Sequence, residues 1–166
     1  NPLQLGLRDF VDTVAPTIVS VEIRDADDQR LVRRENARLL VPRADLSLVV
    51  DAFDQVDGNL PRRRLGLYSL ALQWLHADGT PLAGFEQPRT AIEFARLPGD
   101  ERVKEFYADR SGITVQGNSE THFRYQVGHP KDKAEADPVS TAGLAAGDYV
   151  LRVVAKDFSG NVALRG

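Results

Sequence analysis

Neither cysteine nor methionine occurs among the 166 residues. No disulfide can form, no thiolate can act as a nucleophile, and no zinc site can draw on sulfur ligands. Only three histidines are present, His76, His122 and His129. None stands in a His-Glu-x-x-His frame and no His-x-His pair exists. The fourth residue after each is Thr80, Gln126 or Lys133, never a carboxylate. Gly-x-Ser-x-Gly is also missing, as are the phosphate-binding loop and the dinucleotide fingerprint, and Ser111-Gly112 and Ser159-Gly160 read as turn pairs. The longest apolar run falls well short of the roughly 20 residues of a membrane-spanning helix, and no signal peptide is visible. A net charge of −3 offers no general attraction to nucleic acid or to an anionic membrane. Opening on Asn1-Pro2, the chain reads as a piece of a longer protein.

What is present is alternation. In Gly147-Asp-Tyr-Val-Leu-Arg-Val-Val-Ala-Lys-Asp-Phe-Ser-Gly-Asn161, residues Tyr149, Leu151, Val153 and Ala155 fall on one face and Val150, Arg152, Val154 and Lys156 on the other. Asp157-Phe-Ser-Gly-Asn161 supplies a tight turn into Val162-Ala-Leu164, giving a terminal β-hairpin. Leu46, Leu48, Val50 and Ala52 share the inner face of a second core strand. Val19, Val21 and Ile23 are expected inward on the first strand, and Leu39-Leu-Val41 as a short edge strand stopped by Pro42. Arg64 to Leu75 reads as a long strand with Tyr68, Leu70, Leu72 and Trp74 on one side, Trp74 plugging the core. Thr121 to Val127 forms another strand. Between them, Val103, Phe106 and Tyr107 at i, i+3 and i+4 predict a short helix capped by Asp100. The expected fold is all-β: an immunoglobulin-like (fibronectin type III-like) antiparallel β-sandwich over residues 15–166, with the helix in a mid-chain insertion and residues 1–14 as a linker.

In that topology the loop ends gather oxygen-bearing side chains. Asp51, Asp54, Asp57 and Asn59 flank one loop, Asp157 and Asn161 frame the last hairpin, and Asp12 lies toward the same end. These six loop residues are the candidate calcium ligands, since calcium takes six to eight oxygens. The commoner role for Asp and Asn in turns is to bond their own backbone. Arg62, Arg63 and Arg64 form a basic triplet, readable as a contact for an anionic partner or as solvated charge offsetting its acidic neighbours. Exposed aromatics able to stack on a sugar ring are not evident.

Two ends of the sequence together suggest a family. Asn1-Pro-Leu-Gln-Leu5 resembles the segment that leaves the catalytic domain of LytM/lysostaphin-type zinc endopeptidases, and Asp12-Thr-Val-Ala-Pro-Thr-Ile18 is similar to the start of an immunoglobulin-like domain appended to it. Asp51-Ala-Phe-Asp-Gln-Val-Asp-Gly58, Val103-Lys-Glu-Phe-Tyr107 and the Gly147–Asn161 stretch are similar to segments of such domains. The last of these also occurs widely in bacterial surface repeats. The resemblance implies a parent that cleaves peptide cross-links of peptidoglycan in the periplasm or outside the cell, with its zinc ligands upstream of Asn1. None of the family's zinc-binding motifs has a match here. The resemblance thus implies a non-catalytic accessory domain without a cofactor of its own, partnered with an upstream catalytic domain and reaching a cell-wall polymer or protein. The other readings are a free-standing module that binds a glycan or protein partner and, on weaker grounds, an enzyme in its own right.

Overall fold

The computed structural model describes residues 11–95, 102–112, 121–128 and 139–166. Nine strands and one helical turn follow in order: β1 (Thr17–Arg24), β2 (Arg34–Glu35), β3 (Arg38–Leu39), β4 (Ser47–Phe53), β5 (Ser69–His76), β6 (Arg89–Glu93), α1 (Val103–Phe106), β7 (Arg124–Val127), β8 (Tyr149–Lys156) and β9 (Val162–Arg165). The chain is mostly β, and every strand pairing is antiparallel. One sheet runs β1-β4-β7, a second runs β6-β5-β8-β9, and β2-β3 forms a separate hairpin.

Both sheets supply a single apolar cluster. Leu48, Val50 and Ala52 of β4 and Tyr125 and Val127 of β7 meet Leu70 and Leu72 of β5, Ile92 of β6, and Val153 and Ala155 of β8. These are the alternate positions that period two places on one face. Register keeps them opposite one another: Val50 faces Tyr125 and Leu48 faces Val127 in the first sheet, Leu70 faces Ala155 and Leu72 faces Val153 in the second. Burying each large aliphatic side chain contributes about 1.5–3 kcal/mol, so this pattern dominates the fold.

β1 departs from simple alternation. Its register with β4 shifts between Ile18 and Ser20, so one additional residue, Val19, is inserted. The bulge reverses the phase: Ile18, Val21 and Ile23 pack on the core, while Val19, expected inward, is 42% exposed. Arg165 of β9 donates to the carbonyls of Ile18 and Val19 at 2.9 and 2.6 Å, tying the bulged edge of β1 to the last strand.

Other boundaries move as well. β5 begins at Ser69 rather than Arg64, because residues 60–67 form turns and an isolated bridge from Leu65 back to Asp54. The expected strand over 121–127 is regular only from Arg124, and the edge strand expected at Leu39–Val41 is instead the Arg34–Leu39 hairpin. Two residues connect that hairpin, Asn36 and Ala37, at φ 47° and 65°. The helix shrinks to one turn, Val103–Phe106, with Arg102 at its N-cap position. Asp100, its expected cap, lies outside the described residues, as do His129, residues 1–10 of the lead-in and the first half of the 131–146 loop, 131–138. Phe94, Phe106 and Tyr107 pack on the core around Tyr125, so the described parts of the mid-chain insertion lie on the sheets.

Trp74 does not plug the centre. It is 5% exposed but sits outside the core cluster, lining a groove of about 880 Å³ with Val21, Ile23, Leu39, Tyr149 and Leu151. Arg38 of β3 reaches Asp148 at 2.7 Å, an exposed ion pair that straps the β2-β3 hairpin to the start of β8.

Candidate functional site

The last hairpin builds one side of the site. Asp157 directly follows β8 and is 1% exposed. Its Oδ1 accepts the backbone N–H groups of Gly160 (2.6 Å) and Asn161 (2.8 Å), closing the turn, and its Oδ2 accepts the Asn161 side-chain amide at 2.7 Å. Gly160, at φ 97°, takes the backbone conformation that the turn requires of it. The same Asn161 amide donates to the Asp12 carbonyl at 3.0 Å, which draws the incoming segment onto the hairpin. That segment is held a second time, where Asp57 Oδ2 accepts the N–H and hydroxyl of Thr13 at 2.6 and 3.0 Å.

Asp54 closes the third side. It follows β4 directly, pinned by a pair of 2.8 Å backbone hydrogen bonds with Leu65. The carboxylates of Asp12, Asp54 and Asp157 each present an oxygen within 4.8 Å of the others. Asp54 is 5% exposed, and its Oδ1 is buried without a hydrogen-bond partner. Among the described residues no cationic side chain forms an ion pair with any of the three. Burial, reinforced by the charges of Asp157 and Asp12 and opposed by a hydrogen bond from Gln55, pushes the Asp54 carboxyl up to about 6. Among the described residues this is the one group of three acidic or imidazole side chains with a spacing suited to an ion.

Of the six ligand candidates read from the sequence, the structure brings together Asp54, Asp157 and Asn161, adds Asp12, and leaves out three. Asp51 points away from the loop end and meets His122 Nδ1 at 3.0 Å. Asp57 is occupied by Thr13, and the Asn59 side chain caps the N–H of Leu60 at 2.9 Å. The reason is strand parity: Asp51 lies within β4, in register with Ser20 and Arg124, three residues short of the loop.

The basic triplet divides. Arg62 and Arg63 are exposed, whereas Arg64 is half-buried with its guanidinium 4.2 Å above the Phe53 ring. His76 is exposed at its hairpin end beside the Tyr149 ring. His122 and Asp51 lie near Ser111, but the Ser111 hydroxyl donates to the His122 backbone carbonyl at 3.1 Å and its residue is fully buried. The trio lacks the serine-to-imidazole hydrogen bond and the access that a nucleophile needs.

An exposed aromatic does exist, against expectation. Phe158, at the tip of the last hairpin and adjacent to Asp157, is 88% exposed and, among the described rings, meets Tyr68 edge-on at a centroid distance of 5.7 Å. Its position in a turn phrase rather than a strand hid it from pattern reading. No family model, no curated protein and no solved structure matches this chain.

Proposed function

We propose that this chain is a non-catalytic immunoglobulin-like (fibronectin type III-like) accessory domain of a peptidoglycan metalloendopeptidase, working in the bacterial periplasm or outside the cell. Taken in turn as A, B, C, C′, E, F and G, the strands of the two main sheets give the orders ABE and C′CFG, which support the immunoglobulin-like reading. The observation that carries the accessory role is the fastening of residues 12–13 to the loop end, through Asn161 and Asp57, beside the exposed Phe158. A catalytic domain joined ahead of Asp12 would abut Phe158 at a set orientation, with an aromatic ready to be covered. The domain then positions its neighbour on the wall polymer and performs no bond cleavage itself.

Two measurements test this. The residues encoded directly before Asn1 should include a His-x-His strand. In the intact protein, Phe158→Ser should change turnover of cross-linked peptidoglycan about fivefold, the scale of losing an interface anchor worth ~1 kcal/mol, while the melting temperature of this domain stays put. Unaltered turnover in an active enzyme would refute the positioning role. The groove at Trp74 favours a second reading, a module that binds a glycan or protein partner there. It would be revealed by NMR shifts confined to Trp74, Leu39 and Tyr149 when soluble wall fragments are added.

A further inference from the structure

We propose that Asp12, Asp54 and Asp157 together hold one divalent cation of the calcium class. Three carboxylates converge from three separate parts of the chain, the incoming segment, the end of β4 and the end of β8. Convergence of like charges alone would not point to an ion. The burial of Asp54 does: the residue is 5% exposed, its Oδ1 is buried and accepts no hydrogen bond, and the same carboxylate presents an oxygen within 4.8 Å of the other two. Leaving a buried carboxylate oxygen unsatisfied is costly, and a cation between the three groups removes that cost together with their mutual repulsion.

The donor set selects the ion. Three protein carboxylates with room for water suit calcium, which takes six to eight oxygens in flexible geometry, whereas magnesium demands a near-ideal octahedron and is usually held through one or two carboxylates. Asp157 keeps Oδ1 for the turn and has Oδ2 to offer. Asn161 is a positioning residue, because its amide holds Asp157 Oδ2 and the Asp12 carbonyl in place. Asp12 is half-exposed, so water completes the shell from that side. The bound ion would clamp the incoming segment to the final hairpin whatever domain is attached to it.

Equilibrium dialysis of the full chain against radioactive calcium should find one ion bound. At about 10 mM calcium, a hundredfold excess over a dissociation constant near 10⁻⁴ M, the melting temperature should rise by roughly 5–10 °C over its value in EDTA. Magnesium at the same concentration should give less than half that shift. Asp54→Asn should abolish both binding and shift, yet melt in EDTA at or above the parent, since it removes an unsatisfied buried charge. Should that variant fail to fold, Asp12→Asn, at the half-exposed corner, makes the same comparison. Absence of bound calcium with an unmoved melting temperature would overturn the proposal. So would a full calcium response in both variants, or an equal response to magnesium.

Discussion

Tyr125 offers the sharpest test of how the two sheets are joined. It lies on β7, is fully buried, and its hydroxyl oxygen accepts the backbone N–H of Leu67 at 2.7 Å across a separation of 58 residues. Leu67 belongs to the run leading into β5, so this bond crosses the apolar interior from one sheet to the other. Burial drives the phenol far above its ordinary pKa, so it remains neutral at all working pH values. Tyr125→Phe keeps the ring and its contacts with Phe94 and Tyr107, centroids 5.9 and 5.2 Å away. What it removes is the acceptor of a buried N–H, that of Leu67. An orphaned buried donor costs ~1–3 kcal/mol, and a one-oxygen void adds little. The expected loss is therefore about 2 kcal/mol, a fall of roughly 4–8 °C in melting temperature for a chain of this size. Amide hydrogen exchange supplies the local readout: Leu67 should lose more protection than Leu70 or Leu72, which keep their ladder bonds. A loss under about 0.5 kcal/mol, with Leu67 protection unchanged, would refute the claim that this phenol ties the sheets.

Three further outcomes are expected. Ala37→Gly should raise stability by about 0.5–1 kcal/mol, measured by urea denaturation, because Ala37 sits at φ 65° in a two-residue turn that glycine adopts without strain. Asp157→Ala, measured in EDTA, should cost about 2–3 kcal/mol, since the N–H groups of Gly160 and Asn161 lose a charged acceptor. In the chelated protein, the raised Asp54 pKa means that the folded state holds a proton which the unfolded chain releases near pH 4. The associated stability is complete below about pH 4 and disappears as pH rises through about 6. The loss should be on the order of 1–2 kcal/mol after screening at the open Asp12 side. It should appear as the difference between the pH–stability curves of the parent and Asp54→Asn, and coincident curves would contradict it.

Legibility followed the strength of alternation. β4 and β8 could be read directly because Leu48, Val50, Ala52, Val153 and Ala155 repeat at period two and are all at least nine-tenths buried. β6 escaped notice because an edge strand with one deeply buried residue, Ile92, has no periodic signal to give. The β1 bulge could not be foreseen, since Ile18-Val19 offers two β-branched residues and only the partner register decides which turns inward. At the loop end, Asp54, Asp157 and Asn161 were legible from turn chemistry. Asp51 was not separable from them by spacing, because three residues along a strand change both face and height. Topology already placed Asp12 toward that end, and the contact that fixes it there, from the Asn161 amide, spans 149 residues of sequence.

That separation bears on why the fold closes as it does. The incoming segment meets the last hairpin through Asn161 to Asp12, and β1 meets β9 through Arg165 to Ile18 and Val19, at separations of 149, 147 and 146 residues. Each is a polar contact at or near the surface, worth ~1 kcal/mol alone. Formed first, any of them would have to close a loop of nearly the whole chain. Formed last, the β5-β8 ladder and the shared core have already brought the ends near, so each added bond costs only local ordering. The three ties therefore act as a late latch whose strength depends on the core beneath it. A cation at Asp12, Asp54 and Asp157 would strengthen that latch without touching the core, making the orientation of the incoming segment responsive to calcium while the sheets remain unchanged.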